Sequence, residues 1–326
     1  MINPKVTVLM SVYNGEKYLK EAIDSILNQT FKDFEFLIIN DCSTDNTVAI
    51  ILSYHDPRIR LINNKKNVGI TCSLNKGIKL SKGAYIARMD GDDISYPQRL
   101  EKEISIIEKD KEIGMVTSWI DEFGSINKHS DYFIIVRTVN APEEIFYTLL
   151  FHNCIVHSTV LFKKELVLSL GGYDESYKQS QDYDLWIKIS RISKIVKIRE
   201  ALLARRSHEN TISRRSIEQK LNADKIFLKN MYKLIPNDIS QEILLQIRYN
   251  IVRIKNLIRS ISIIKNINTL IPEIAYDGLD YQRLKRYGVK KIYQMIFCVL
   301  KKEIMRKILR RRLKDILKIY NFDPFQ

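Results

Sequence analysis

The sequence predicts an α/β chain, a doubly wound and mainly parallel sheet flanked by helices, continued by a helical and basic C-terminal region. Three observations predict it. Short apolar, β-branched runs alternate with helical patterns over the first 110 residues, the arrangement of βαβ units. Polar clusters at Ser11–Glu16, Asn40–Asp45 and Asp90–Asp93 close three of those runs, at the strand ends where such sheets bind ligands. The charge is also divided unevenly. Residues 214–326 hold 25 Lys and Arg against 10 Asp and Glu, which accounts for the whole net +15, while residues 1–213 balance at 28 of each.

The elements follow in order. Val6–Met10 is a strand, and a helical pattern runs from Lys17 to about Leu27. Phe34–Ile39 is the next strand, ending on Asn40-Asp41, and Ser43 is the expected N-cap of a helix through Tyr54. Ile59–Ile62 is a short third strand. Asn67-Val68-Gly69 opens a helix that ends near Ser81-Lys82-Gly83, with Gly83 expected in a left-handed exit. Ala84–Met89 is a strand running into Asp90-Gly91-Asp92-Asp93, and Pro97 suits the first turn of a helix to about Asp110. Residues 114–213 show mixed strands and short helices, including a strand at His157–Phe162, a turn at Gly171-Gly172 and a helix at Tyr183–Ser193.

Composition narrows the class. With 326 residues, 45% hydrophobic and 28% charged, the chain is neither disordered nor a disulfide miniprotein. No run reaches the roughly 18 uncharged apolar residues of a membrane span. Met1-Ile2-Asn3-Pro4-Lys5 opens no basic segment followed by a long apolar core, so no secretory signal is expected, and Cys42, Cys72, Cys154 and Cys298 form no C-x-x-C pair. Free thiols in a reducing cytoplasm are therefore expected.

Residues i and i+2 of an extended segment project to one side, so Asp90 and Asp92 can address one ligand, with Gly91 allowing close backbone approach. Mg²⁺ and Mn²⁺ take oxygen donors and often only one or two carboxylates. A solvated Asp/Gly turn is the plain alternative, disfavoured by the two other polar strand ends nearby. Asp41 suits a ribose or base contact, or equally the cap of the next turn. Tyr13 offers a face for a base, and Glu16 stands where the helix dipole favours an acid anyway. No G-x-G-x-x-G or P-loop pattern follows any strand.

Several of these segments, in order, carry a family resemblance: Val8–Leu19 with Ser11-Val12-Tyr13-Asn14-Gly15-Glu16, Ser25–Phe31, Ile39–Asp45, Asn67-Val68-Gly69, Gly83–Asp93 and Pro97-Gln98-Arg99-Leu100. The stretch from about 5 to 213 resembles glycosyltransferase family 2, inverting enzymes of GT-A fold that use nucleotide sugars. The resemblance implies a GT-A, Rossmann-like domain over 1–213, with a nucleotide-binding half at 1–113 and an acceptor half at 114–213. Residues 214–326 form the helical basic region outside it. It further implies that Ser11, Tyr13, Asn14, Glu16, Asp41, Asp90 and Gly91 hold the nucleotide sugar, and that Asp92, Asp90 and His208 hold a divalent cation, Mn or Mg. The family often has Arg where this chain has Leu74, so that side chain brings no phosphate contact.

Gln181-Asp182 resembles the family's Glu-Asp pair, with Gln181 in place of Glu, which makes Asp182 the expected general base and Asp184 its rival. By the same resemblance Gly172, Gln181, Trp186 and His157 line the acceptor side, and Arg206-Ser207-His208 matches the family's R-x-H segment.

In the tail, Ile304, Met305, Ile308, Leu309, Leu313, Ile316, Leu317 and Tyr320 recur at helical spacing among Arg306, Lys307, Arg310, Arg311, Arg312, Lys314 and Lys318. A basic amphipathic helix of this kind suits an anionic membrane surface, at roughly 1 kcal/mol per basic group. Packing on the protein is its alternative. The expectation is a cytoplasmic enzyme, peripheral on the inner face of the cell membrane. It would transfer a sugar from a nucleotide diphosphate donor, UDP-linked, to a glycan or lipid-linked acceptor of surface polysaccharide, with no nucleic-acid partner. Two alternatives are a sugar-1-phosphate nucleotidyltransferase, which lacks its Gly-rich basic loop here, and a basic nucleic-acid-binding protein, which the neutral first lobe argues against.

Overall fold

A computed structural model describes residues 3–124, 134–136, 140–208, 217–233 and 239–249, with scattered positions between 260 and 291. The basic segment 301–326 and Cys298 lie outside the described residues. The chain divides into two compact units, Met1–Phe227 with Ile274–Asp280, and Leu228–Glu273 with Tyr281–Gln326. Among the described residues no helix is long and apolar enough to cross a membrane.

In the first unit the strands are β1 Val6–Val12, β2 Phe34–Asn40, β3 Ile59–Asn63, β4 Tyr85–Met89, β5 Ile94–Ser95, β6 Ile113–Phe123, β7 Ile134–Val136, β8 Leu161–Lys163 and β9 Lys194–Arg206. The helices are α1 Leu19–Leu27, α2 Thr47–Leu52, α3 Ile70–Leu80, α4 Arg99–Ile107, α5 Pro142–Leu149, α6 Lys164–Ser169 and α7 Gln181–Ser190; α8 Ile217–Met231 starts in this unit and continues past its boundary at Phe227. In the second unit, α9 Gln241–Arg248 buries Ile243, Leu244 and Ile247 at i, i+1 and i+4, a single helical face.

The sheet runs β3-β2-β1-β4-β8-β6-β9-β5, with β7 beside β6. β3, β2, β1 and β4 are mutually parallel. β8 then enters antiparallel to both β4 and β6, and β9 runs parallel to β6, so the second half of the sheet is mixed. Central strands covered on both faces need apolar residues on both. β1 supplies them. Val6, Val8 and Met10 join one core cluster with Leu19, Ile23 and Ile26 of α1, while Leu9 joins the opposite cluster with Leu74 and Ile78 of α3. The α1 positions Leu19, Ala22, Ile23 and Ile26 are buried at i, i+3, i+4 and i+7, which is why this segment winds as a helix against the sheet.

Register places the loops. Val12 pairs with Asn40 and Met10 with Met89, so the segments after β1, β2 and β4 leave the same edge of the sheet.

Several local expectations change. Gly83 is not left-handed; a Cβ there would collide with the backbone of Val6 and Thr7, so its smallness serves close approach to β1. Ser43 does not cap α2, which starts at Thr47 after Asn46; its hydroxyl is taken by the β1–α1 loop. His157–Thr159 is a 3-10 turn and the strand begins only at Leu161: the Thr159 N–H bonds back to the Val156 carbonyl (3.1 Å), and Thr159 Oγ1 donates to the same oxygen (2.8 Å). The helix expected at Tyr183 begins two residues earlier, at Gln181.

Candidate active site

The loops after β1 and β2 are laced together. The backbone N–H groups of Asn14, Gly15 and Glu16 donate to Ser43 Oγ (2.9 Å), Thr47 Oγ1 (2.8 Å) and Asp45 Oδ2 (3.0 Å). In return Asn14 Oδ1 accepts from the Thr44 N–H (2.8 Å), and Glu16 Oε2 accepts from the N–H and Nδ2 of Asn46 (3.0 and 2.9 Å). Asn14 adopts φ 50°, a left-handed turn that Asn tolerates and that aims its amide across the gap. Tyr13, just before it, is 51% exposed and Ser11 half-buried on β1. Asn14 and Glu16 thus act as struts that present Tyr13 at the sheet edge.

Asp41 is buried, and its carboxylate accepts from Asn64 Nδ2 (2.8 Å), the Val68 N–H (3.0 Å) and the Gly69 N–H (2.8 Å). Three charge-assisted bonds pin the loop between β3 and α3 against the end of β2. Leu74 points into the core, fully buried.

Beyond β4, Asp90, Asp92 and Asp93 bring carboxylate oxygens within 4.8 Å of one another. Each is held differently. Asp90 pairs with the buried Arg88. Asp92 Oδ2 meets His208 Nε2 at 3.0 Å. Asp93 is buried, with Oδ2 accepting from Ser158 Oγ (2.5 Å) and Oδ1 from the Arg206 N–H (3.0 Å). Burial and the Asp90 charge raise Asp92 above the usual carboxylate range, against the pull of His208. Burial, then the charges of Asp90 and Asp92, push Asp93 up to about 8.

The R-x-H segment is braced from α1. The Arg206 guanidinium lies over the rings of Tyr18 (4.4 Å) and Phe123 (4.5 Å), donates to the Asp92 carbonyl (3.1 Å) and pairs with Glu21 (2.7 Å). His208 also contacts the Tyr18 ring, centroids 5.2 Å apart.

Crowded carboxylates that resist ionising together are what a divalent cation relieves. Oxygen donors from Asp90 and Asp92 with a His208 nitrogen alongside suit Mg²⁺ or Mn²⁺. Asp93, with both oxygens engaged, ties the cluster to β9 and to the 157–159 turn.

Asp182 stands in the first turn of α7, half-buried, where Asn153 Nδ2 donates to its Oδ2 (2.8 Å). Burial raises its pKa; the Tyr183 backbone N–H, Asn153 and Arg88 oppose that rise. Asp184, its rival in the same turn, is buried and paired with Lys188 (2.6 Å). Arg88 connects the two acidic groups. It pairs with Asp90 and stabilises the Asp182 charge, and Tyr173 feels both Asp182 and Asp90.

His157 Nε2 bonds the Tyr173 hydroxyl (2.8 Å) and its ring meets Trp186 edge-on (5.8 Å). Burial and Arg88 drive its pKa well below the ordinary value, so it is neutral. Trp186 is fully buried and supports His157 from behind. Gln181 is buried with Oε1 lacking a hydrogen-bond partner. Gly172, at φ 75°, lets Asn75 approach, and Asn75 clamps the turn by accepting from the Tyr173 N–H and donating to its carbonyl, both at 2.9 Å.

The fold therefore brings Asp90, Asp92, His208 and Asp182 into one electrostatically connected region, with Gly91 between the acids. It assigns internal duties to Asn14, Glu16, Asp41, Gly172 and Trp186. Sequence reasoning gave no separate role to Arg88, to Asp93 within the acidic motif, to Asn153 or to the Tyr18–Arg206 stack. For Arg88 the available signal was a charged residue inside an apolar strand; Asn153 had none.

The model of the family described as Glycosyl transferase family 2 matches residues 7–169. An uncharacterized glycosyltransferase of Haemophilus influenzae is 32% identical over 302 residues, 90% of each chain. One from Rickettsia typhi is 35% identical over 219 residues, 67% of this chain and 68% of the relative. Among solved structures, Staphylococcus aureus TarS 1-349 in complex with UDP-GlcNAc matches with TM-score 0.60 at 17% identity, covering 92% of this chain and 91% of that one. The mannosyltransferase PcManGT of Pyrobaculum calidifontis, in complex with GDP-Man and Mn²⁺, matches with TM-score 0.54 at 15% identity, covering 92% and 87%. These two share the fold.

Proposed function

The chain belongs to glycosyltransferase family 2, and from that premise we propose that it is a divalent-cation-dependent, inverting enzyme that transfers a sugar from a nucleoside-diphosphate donor to an alcohol. The observation that carries the reading is the pairing of an acidic cluster after β4 with a separate, raised-pKa carboxylate at the head of α7, joined through Arg88. TarS with UDP-GlcNAc and PcManGT with GDP-Man and Mn²⁺ support a nucleotide-sugar donor of one of these two kinds.

In this reading Asp90, Asp92 and His208 would hold the cation, which would supply charge neutralisation for a departing diphosphate. Tyr13 offers its exposed ring to the base, on a loop that Asn14 and Glu16 hold in place. Asp182, ionised, takes the proton of the acceptor hydroxyl as its oxygen bonds to the anomeric carbon, and the nucleoside diphosphate leaves from the opposite face with the bonding electrons. Neutral His157 lines the acceptor side without competing for that proton. A lipid-linked or glycan acceptor, brought to an anionic membrane surface by the basic segment 301–326, fits a chain whose described helices do not span a bilayer.

The test pairs binding with turnover. Thermal shifts with UDP-GlcNAc and GDP-mannose, each with and without Mn²⁺ or Mg²⁺, should show stabilisation by one donor only when the cation is present. Asp182→Asn should keep that shift and lower donor turnover by about 10²–10⁴-fold. Stabilisation by neither donor, or full turnover in Asp182→Asn, would remove the reading.

A further inference from the structure

We infer that Asn153 is the positioning residue for Asp182: its amide, fixed by its own backbone, holds one carboxylate oxygen and leaves the other for the incoming hydroxyl. This rests on Asp182 being the base, and adds a residue to that reaction.

Asn153 lies exposed in the segment between α5 and the 157–159 turn. Its Oδ1 accepts from the Ile155 N–H (3.1 Å), so its Nδ2 faces Asp182 Oδ2 at 2.8 Å. An amide NH₂ only donates, and therefore matches a carboxylate oxygen and not a carboxylic O–H. The contact favours the charged form that a base needs, where burial works against it.

Exposed loop residues are ordinarily too mobile to position anything, but this one is flanked by anchors. The Phe151 and His152 N–H groups bond the Thr148 carbonyl at the end of α5 (2.9 and 2.8 Å). The Cys154 carbonyl accepts from buried Lys197 on β9 (2.8 Å), and Ile155 is buried. The segment thus carries a fixed donor to Asp182 Oδ2.

The other groups that face Asp182 are Arg88 on β4, the Tyr173 side chain and the N–H groups at the start of α7. Arg88 is buried and paired, and Tyr173 is pushed far above its ordinary value and stays a phenol, so neither titrates alongside Asp182.

The experiment is a carboxyl-¹³C NMR titration of the full chain labelled at Asp, with Asp182 assigned by its loss in Asp182→Asn. Asn153→Ala should raise the Asp182 midpoint by about one pH unit, the worth of a hydrogen bond to a charged group. Asn153→Asp keeps the acceptor for Ile155 and sets a second carboxylate against Asp182, so it should raise the midpoint further; it also serves if the alanine variant fails to fold. In turnover of the donor that binds, both variants should lower kcat at least tenfold with KM unchanged within about twofold. An unmoved Asp182 midpoint in both variants overturns the inference. Full turnover in Asp182→Asn would instead remove the base assignment, leaving the NMR result to stand on the Asn153–Asp182 contact alone.

Discussion

Replacing Arg99 by Met removes the cation from a fully buried ion pair directly behind the acidic motif. Arg99 and Glu103 are both inaccessible; Arg99 Nε meets Glu103 Oε1 at 3.1 Å, and Arg99 Nη2 donates to the carbonyls of Arg88 (2.9 Å) and Val160 (3.4 Å). Glu103 Oε2 has no hydrogen-bond partner, and burial pushes this carboxyl up to about 7 against the opposing pull of Arg99. Breaking such a pair from one side costs about 3–5 kcal/mol, which lowers the melting temperature of a domain of this size by about 10 °C. The loss also depends on pH. With the cation gone, the Glu103 pKa climbs above 7 in the folded variant. Between that new value and 7 the folded variant holds a proton that the unfolded chain has released. Its stability therefore falls with rising pH while the native protein, already ionised there, stays level. At about 1.4 kcal/mol per unit, the gap between the two widens by about 2 kcal/mol from pH 7 to 8.5. Urea unfolding at pH 6, 7 and 8.5 measures it. Arg99→Met combined with Glu103→Leu should recover most of the loss and all of the pH dependence, since no buried charge remains. A pH-independent gap, or a double variant no better than the single one, refutes the reasoning.

Two further outcomes follow from the site and the tail. Asp92→Ala should cost at least about 1.4 kcal/mol of cation-dependent donor binding, a tenfold rise in Kd, while leaving cation-free stability unchanged or higher, because one member of a repelling cluster is gone; calorimetric titration of donor with and without Mn²⁺ checks it. Deleting residues 301–326 should release the protein from anionic vesicles at physiological salt with little change in donor binding; vesicle co-sedimentation in which the shortened chain still pellets would place the attachment elsewhere.

Much of the candidate site was legible because strand ends are local. The run of Tyr85–Met89 followed by Asp90-Gly91-Asp92-Asp93 needs only a neighbouring parallel strand to become a sheet-edge acidic cluster, and β1 provides it. What those carboxylates touch was not legible. Asp93 is held by Ser158 and the Arg206 N–H, 65 and 113 residues away, and Asp182 by Asn153, 29 away. The family resemblance assigns Asn14, Glu16 and Asp41 to the nucleotide sugar; it does not reveal that their oxygens also accept from backbone donors of the next loop, a need that exists only once the loops lie side by side. The mixed second half of the sheet was hidden for the same reason, since β8 is three residues long and its direction depends on the partners on either side.

The family resemblance tied the acidic motif to the distant Asp182; periodicity and order of segments determined that this chain winds as an α/β sheet and that three polar loops leave one edge. These follow from side-chain spacing along a strand or helix, which tertiary contacts only reinforce. Tertiary structure decided which acids are open to a ligand and which are spent, that Asp184 is neutralised by Lys188 while Asp182 is not, and that Arg88 couples the two halves of the site. Hydrogen-bond saturation and burial are properties of a neighbourhood assembled from remote segments, and no local spacing encodes them.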